Sequence, residues 1–182
     1  KLSPGVVAVL VAMILFVITK VDVEHMLEEI EWSTLLFFTG LFILVGVLEA
    51  KGVIEWIAHN VFLRIGDNPY IIVLVVLWVS GIASGFLDNI PFTITMIPVV
   101  RLMLEANPIP NNILWWALSL GACLGGNLTM IGASANIVSV GMAKRFNQNI
   151  SFLEFMKASA VITIITLLIA SVYLTLYLWV SL

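Results

Sequence analysis

The sequence predicts an all-α polytopic membrane protein with a re-entrant helical hairpin and a discontinuous transmembrane helix. Three observations carry that prediction. The 182 residues are 62% hydrophobic and only 10% charged, with a mean hydropathy of +1.14, whereas a soluble domain is about half apolar and a quarter charged. One apolar run, Ile71 to Met103, is too long for a single crossing and is interrupted by Asp88, Asn89 and Pro91. A second, starting at Ile113, is interrupted between Gly121 and Asn136 by glycines, asparagines, a threonine and a serine.

The elements follow in order. Pro4 to Thr19 is apolar throughout and forms the first span, extending through Leu2 and Lys20 if it is to reach the ~20 residues of a full crossing. Val21 to Trp32 changes character: Val23, Met26, Leu27 and Ile30 make an i, i+3, i+4, i+7 stripe, with Asp22, Glu24, Glu28, Glu29 and Glu31 turned away. That pattern is an amphipathic helix lying along the interface. Ser33 to Leu48 is the second span, and Val53 to Leu63 a second amphipathic piece with Trp56 as an interfacial anchor. Gly66-Asp67-Asn68-Pro69 reads as a turn.

Tyr70 to Leu87 and Pro91 to Leu104 are the two arms of the hairpin. Ser80, Gly81, Ala83, Ser84 and Gly85 crowd small side chains near its tip, where another helix can approach closely. Glu105 to Asn112 is a loop. Ile113 to Ala122 begins the broken helix, which resumes near Ser134 and runs to Arg145. Ser151 to Lys157 is an amphipathic entry to the last span, Ala158 to Val180. With the hairpin entering and leaving on one side, Lys1, Lys51, Arg64 and Arg101 face Lys20, Lys144, Arg145 and Lys157. Equal numbers of basic residues on the two sides leave the orientation open.

The chemistry concentrates at the two interruptions. A carboxylate at bilayer depth costs about 2.5–3.5 kcal/mol on insertion scales, so Asp88 there implies a function. A helix broken in the membrane leaves unpaired N–H groups at the start of its second half and unpaired C=O groups at the end of its first. The dipoles add partial charges of matching sign. If the breaks meet, they offer amide ends near Phe92 and Ser134 to an anion and carbonyl ends near Leu87 and Leu124 to a cation. Asp88, Asn89, Thr93, Gly126, Asn127, Thr129, Ser134 and Asn136 are the candidate substrate- or ion-binding residues, with a Na⁺ position near Asp88, Asn89 and Asn127. Interrupted helices of this kind are the sequence pointer to a transporter site. Each hydroxyl and amide also has a plain alternative: back-bonding to its own helix for Thr93, Thr95, Thr129 and Ser134, interhelical glue for Asn127 and Asn136.

Other classes fare less well. A net charge of −3 gives no ground for nucleic-acid binding. Cys123 is single and cannot form an internal disulfide, and packing is its role. His25 and His59 share no ligand spacing with a cysteine or carboxylate, so no His- or Cys-based metal site is indicated. No cofactor is implied beyond a coupling H⁺ or Na⁺. An intramembrane aspartyl hydrolase needs two deep carboxylates and Asp88 is the only one, so the chain does not read as an enzyme. A passive channel stays open as an alternative. The chain starts at Lys1 and enters an apolar helix at once, without a cleavable signal pattern, like a cut end within a longer protein.

The stretches Phe86 to Pro98 and Gly121 to Val138, together with Glu31-Trp32-Ser33-Thr34-Leu35-Leu36-Phe37-Phe38, resemble the arsenite permease and P-protein (pink-eyed dilution) branch of the ion transporter superfamily, in its C-terminal half. That superfamily also holds sodium/proton antiporters and citrate or dicarboxylate symporters. The resemblance implies two inverted repeats, each with a re-entrant hairpin and a broken helix. Residues 1–182 then form a single transmembrane domain, the C-terminal repeat, with the N-terminal repeat absent. It implies a secondary active transporter of an inorganic ion or small anion, coupled to H⁺ or Na⁺, working as an elevator. The partners are membrane lipid, the missing repeat, the small substrate and a second copy in a homodimer. Dicarboxylate members carry Ser-Asn-Thr at the hairpin tip where this chain has Asp88-Asn89-Ile90-Pro91, a departure that speaks against dicarboxylate transport.

Overall fold

The computed structural model describes residues 3–19, 22, 24, 28, 30, 32–62, 66–106 and 109–181. They contain helices and turns and no strand. The amphipathic helix expected over Val21 to Trp32, with His25, falls largely outside them, as do Leu2, Lys20, Leu63 and Arg64. The chain divides into two compact units, Lys1–Gly40 and Leu41–Leu182.

The first unit holds α1 (Pro4–Thr19), bounded as the apolar run predicts, and the start of α2 (Trp32–Ala50). α1 has no buried residue; its valines, leucines and isoleucines are the surface that hydrocarbon would cover. Two hydroxyls return to their own helices, Thr19 Oγ1 donating to the Leu15 carbonyl and Thr39 Oγ1 to that of Leu35, each at 2.8 Å.

In the second unit, Gly52 at φ 71° makes the left-handed turn that ends α2 and starts α3 (Val53–Ile57). A π-helical turn, Ala58–Phe62, follows. Ile54 and Ala58 are fully buried, while Trp56 is 63% exposed, as an anchor at an interface would be. α4 (Pro69–Ser84) begins on an Asn68 cap, whose side chain accepts from the Tyr70 N–H at 3.0 Å, with Pro69 in the first turn. α5 (Asn89–Ala106) continues through Pro98. A 3₁₀ turn, Pro110–Asn112, leads into α6 (Ile113–Gly125). Another 3₁₀ turn, Met130–Gly132, precedes α7 (Ser134–Arg145), and α8 (Phe152–Ser181) closes the unit.

Packing reveals direction. A Cβ on Gly121 would meet the Leu77 carbonyl and Ser80, and one on Gly125 the backbone of Gly81. One on Gly85 would lie 2.6 Å from Leu128. Rising numbers on α4 meet rising numbers on α6, so the two helices run parallel. α5 must then carry the chain back from the end of α4 to the level where α6 starts, so the turn at 85–88 reverses the chain. The partner of the small-residue face on α4 is therefore α6, and α4 touches its own sequel α5 at few points. α8 runs the other way: Leu167 lies over Gly81, and Trp78 Nε1 donates to Ser171 Oγ at 3.0 Å. Around α6 sits the core, with Val76 and Leu77 from α4, Val99, Val100 and Met103 from α5, and Leu167, Leu174 and Leu178 from α8.

Among the described residues, α5 and α8 are long and apolar enough to cross a membrane, and three spans result if the bent pair around Gly52 counts as one. α1, α4 and α6 are shorter apolar helices. Several boundaries differ from expectation. α4 ends at Ser84, short of the expected Leu87, and α5 starts at Asn89, before Pro91. α5 runs on to Ala106, through Glu105, where a loop was expected. α6 extends to Gly125. The amphipathic entry and the last span are one 30-residue helix. It begins at 152 because Ser151 and Glu154 form a capping box: the Ser151 N–H and hydroxyl donate to Glu154 Oε2 at 2.9 and 2.8 Å, and the Glu154 N–H donates to Ser151 Oγ at 3.3 Å.

Candidate functional site

The two interruptions meet. α4 stops at Ser84 because Gly85, Phe86 and Leu87 close it with turn bonds to Gly81, Ile82 and Ala83. Asp88 then caps the next helix: its Oδ1 accepts from the Ile90 N–H at 3.0 Å, and Pro91, in the same first turn, has no N–H to satisfy. The other carboxylate oxygen, Oδ2, accepts from the Ser134 hydroxyl at 2.9 Å, across 46 residues of sequence. Ser134 opens α7. One half-buried carboxylate thus stands at the N-terminal ends of α5 and α7, where both helix dipoles present positive charge.

Behind it the break is stitched to the turn through backbone. Thr129 Oγ1 donates to the Gly85 carbonyl at 2.6 Å and accepts from the Gly132 N–H at 3.2 Å. Asn136 Nδ2 donates to the carbonyls of Gly126 and Thr129, both at 2.9 Å. Ser84 Oγ donates to the Ala122 carbonyl at 2.7 Å. Gly132 has to be glycine, since a Cβ there would lie 2.6 Å from the Gly126 oxygen and 2.9 Å from those of Gly85 and Ser84. Thr129, Ser84 and Gly132 are buried, and Asn136 is half-buried.

The candidate residues therefore divide. Asp88 and Ser134 are bonded to each other. Asn89 sits beside them, its Cβ close to the position a Gly126 side chain would take. Thr129, Asn136 and Gly126 hold the break together. Thr93 Oγ1 donates back to the Asn89 carbonyl at 2.6 Å and Thr95 Oγ1 to that of Pro91 at 2.9 Å, the back-bonded alternative. Asn127 turns to a different cavity, facing α8. The sequence offers the carbonyl ends near Leu87 and Leu124 to a cation; around them the carbonyls of Gly85, Ala122, Gly126 and Thr129 accept hydrogen bonds from side chains of the protein itself. Among the described residues no group of three or more His, Cys, Asp or Glu side chains is placed to hold a metal ion. Sequence reasoning missed Ser84, Gly132 and Leu128 as parts of the junction. Ser84 was visible only as a small residue, and nothing in the linear order shows that its hydroxyl reaches Ala122.

A multi-pass, all-helical chain with two interrupted helices joined at a polar crossing is of the class of integral membrane proteins, and such interruptions are a pointer to a transport site. The sequence profile of the citrate transporter family matches residues 2–121, and the chain belongs to that family. Over 175 residues it is 41% identical to an uncharacterized transporter of Mycobacterium tuberculosis, covering 95% of this chain and 41% of the relative. It is 42% identical to the 46 kDa membrane protein of Mycobacterium leprae over 174 residues, 94% of this chain and 41% of that one. To the P protein of Homo sapiens it is 40% identical over 182 residues, 95% of this chain but 22% of that protein. The likeness to the P-protein branch read from the two motifs is thus borne out. The chain spans about two-fifths of the length of the mycobacterial relatives. No solved structure matches.

Proposed function

We propose that the chain forms one inverted repeat of a secondary active transporter, moving an inorganic ion or small anion coupled to H⁺ or Na⁺ by an elevator-type displacement. The observation that carries this reading is the Asp88 carboxylate shared by the starts of α5 and α7. It is a charge in a polar junction that a bound H⁺ or cation would neutralise and an anion would be repelled by. A substrate anion and the coupling cation are then favoured together, which is what coupled transport requires. α4 and α6, at 16 and 13 residues, extend about 24 and 20 Å, short of the ~30 Å hydrocarbon layer. Parallel helices that stop together part-way suit a re-entrant turn held at depth, a polar tip tolerated there only inside protein or a watered cavity.

Citrate stands in the family's name. The Asp88–Pro91 tip, in place of Ser-Asn-Thr, keeps the proposed substrate at an inorganic ion or small anion. Reconstitution in proteoliposomes of this chain together with its partner repeat tests this, with gradients of Na⁺, H⁺, citrate, arsenite and Cl⁻ imposed in turn. Accumulation against a gradient, and counterflow, are the expected results. Flux that only dissipates gradients, with no counterflow, would replace the transporter by a passive channel.

A further inference from the structure

The break has a second face. Between it and α8 lies a cavity of about 200 Å³, lined by Asn127, Asn136, Phe155, Ser159 and Ile162. Its polar groups are neutral and incompletely bonded. Both Nδ2 protons of Asn136 go to the Gly126 and Thr129 carbonyls, leaving its Oδ1 as an acceptor. The Asn127 amide and the Ser159 hydroxyl have no side-chain hydrogen bond among the described residues. One turn beyond Ser159, on the same face of α8, Thr163 is 2% exposed and its hydroxyl has no partner.

We propose that this cavity is an aqueous entrance, by which water and a small hydrophilic solute reach the break from the α8 side. A dry cavity with these walls would leave several polar groups unpaired, at about 1–3 kcal/mol each. Cavities that stay dry are apolar, and liquid water occupies ~30 Å³ per molecule, so this one has room for roughly six. A contrast lies further along the same face of α8. The cavity of about 470 Å³ between α6 and α8 is walled by Trp116, Leu120 and Tyr173 and suits hydrocarbon. None of the five residues lining the polar cavity is ionisable. It therefore has no charge to hold an ion in place, and weak binding is what a passage needs. The hydration follows from the unpaired groups; the use as an entrance rests on the transporter reading.

Thiol labelling in bilayers separates the two. Cys123, the chain's single cysteine and exposed, is first replaced by serine. Ser159→Cys then reports the cavity and Ile162→Cys, 60% exposed, its rim, with Val161→Cys and Ile165→Cys, comparably exposed at 59% and 50% but outside the lining, as controls. A charged, membrane-impermeant methanethiosulfonate needs the thiolate, and water favours it. The cavity positions are expected to react roughly ten-fold faster than the controls. Equal rates at Ser159→Cys, Ile162→Cys and the controls would overturn the hydrated cavity. Should Ser159→Cys not insert, Ile162→Cys makes the same comparison. Because labelling needs no transported solute, its outcome is independent of whether the protein transports. Where uptake is measurable, labelled Ser159→Cys should lose most of it, and unchanged uptake after complete labelling would overturn the entrance.

Discussion

Asp88 unites two roles in one side chain. Oδ1 caps α5 and Oδ2 receives the Ser134 hydroxyl, so the carboxylate is both a structural joint and a charge. Asparagine separates them: its one oxygen caps as well as aspartate and its NH₂ can donate to the Ser134 hydroxyl in place of the present bond, but it carries no charge. Asp88→Asn in the reconstituted protein is therefore expected to insert and fold normally while coupled uptake falls by roughly ten-fold or more, the factor that about 1.4 kcal/mol commands. Full gradient-driven uptake with unaltered Na⁺ and pH dependence would reduce Asp88 to its capping role. Thr129 gives the opposite prediction. It is buried, and its hydroxyl serves the Gly85 carbonyl and the Gly132 N–H at once. Thr129→Val, nearly the same shape, should lower stability by about 1–3 kcal/mol for each buried group left unpaired, visible as a lower melting temperature in detergent. Of this detail, the sequence singled out Asp88, because a lone carboxylate in an apolar run is costly. It did not show that Thr129 and Asn136 are bonded across the break. A threonine's partner is set by whichever backbone the fold brings near, and Gly85 is 44 residues away.

At the scale of elements, the seam between α4 and α6 is made of backbone. Gly81, Gly121 and Gly125 let the two helices approach until a Cβ on Gly125 would strike the Gly81 backbone. Because the obstruction is backbone and not the end of a flexible side chain, Gly125→Ala has no easy relief. Overpacking of this kind costs about 1–3 kcal/mol or more. The expected result is a protein that still inserts but loses the close pairing, read as a drop in thermal stability and in crosslinking between cysteines placed at positions 84 and 122, which touch across the seam. Stability equal to the parent would mean that the seam is looser than described. Helix boundaries were legible where turn chemistry is local: Pro69 after Asn68 fixes the start of α4, and Ser134 that of α7. They were less legible where a strong former follows the apolar run, as at Glu105, and where two readings of one stretch compete. Ser151-Phe152-Leu153-Glu154 carries a capping-box signature; read instead as an amphipathic entry, it hides the single start of α8.

For the whole molecule, membrane insertion and an all-helical build follow from composition alone. The pairing of α4 with α6, over the nearer α5, does not, because glycines advertise a close approach without naming the partner. The chain spans about two-fifths of its mycobacterial relatives, and we expect that the 182 residues expressed alone reach the membrane but give no saturable uptake in vesicles; robust uptake by this chain as a monomer would show that one repeat suffices. The α4–α6 seam also sets a schedule for biogenesis. When α4 leaves the ribosome, the helix that fits its glycine face does not yet exist. The hydrogen bond from Thr129 to Gly85 closes 44 residues later, about 2–9 s at ribosomal rates of 5–20 residues per second. During that interval α4 is too short to span unaided, and Asp88 does not yet have the Ser134 hydroxyl beside it. The helix pair is therefore expected to wait at the membrane surface or within the insertion machinery, and to enter only as α6 arrives.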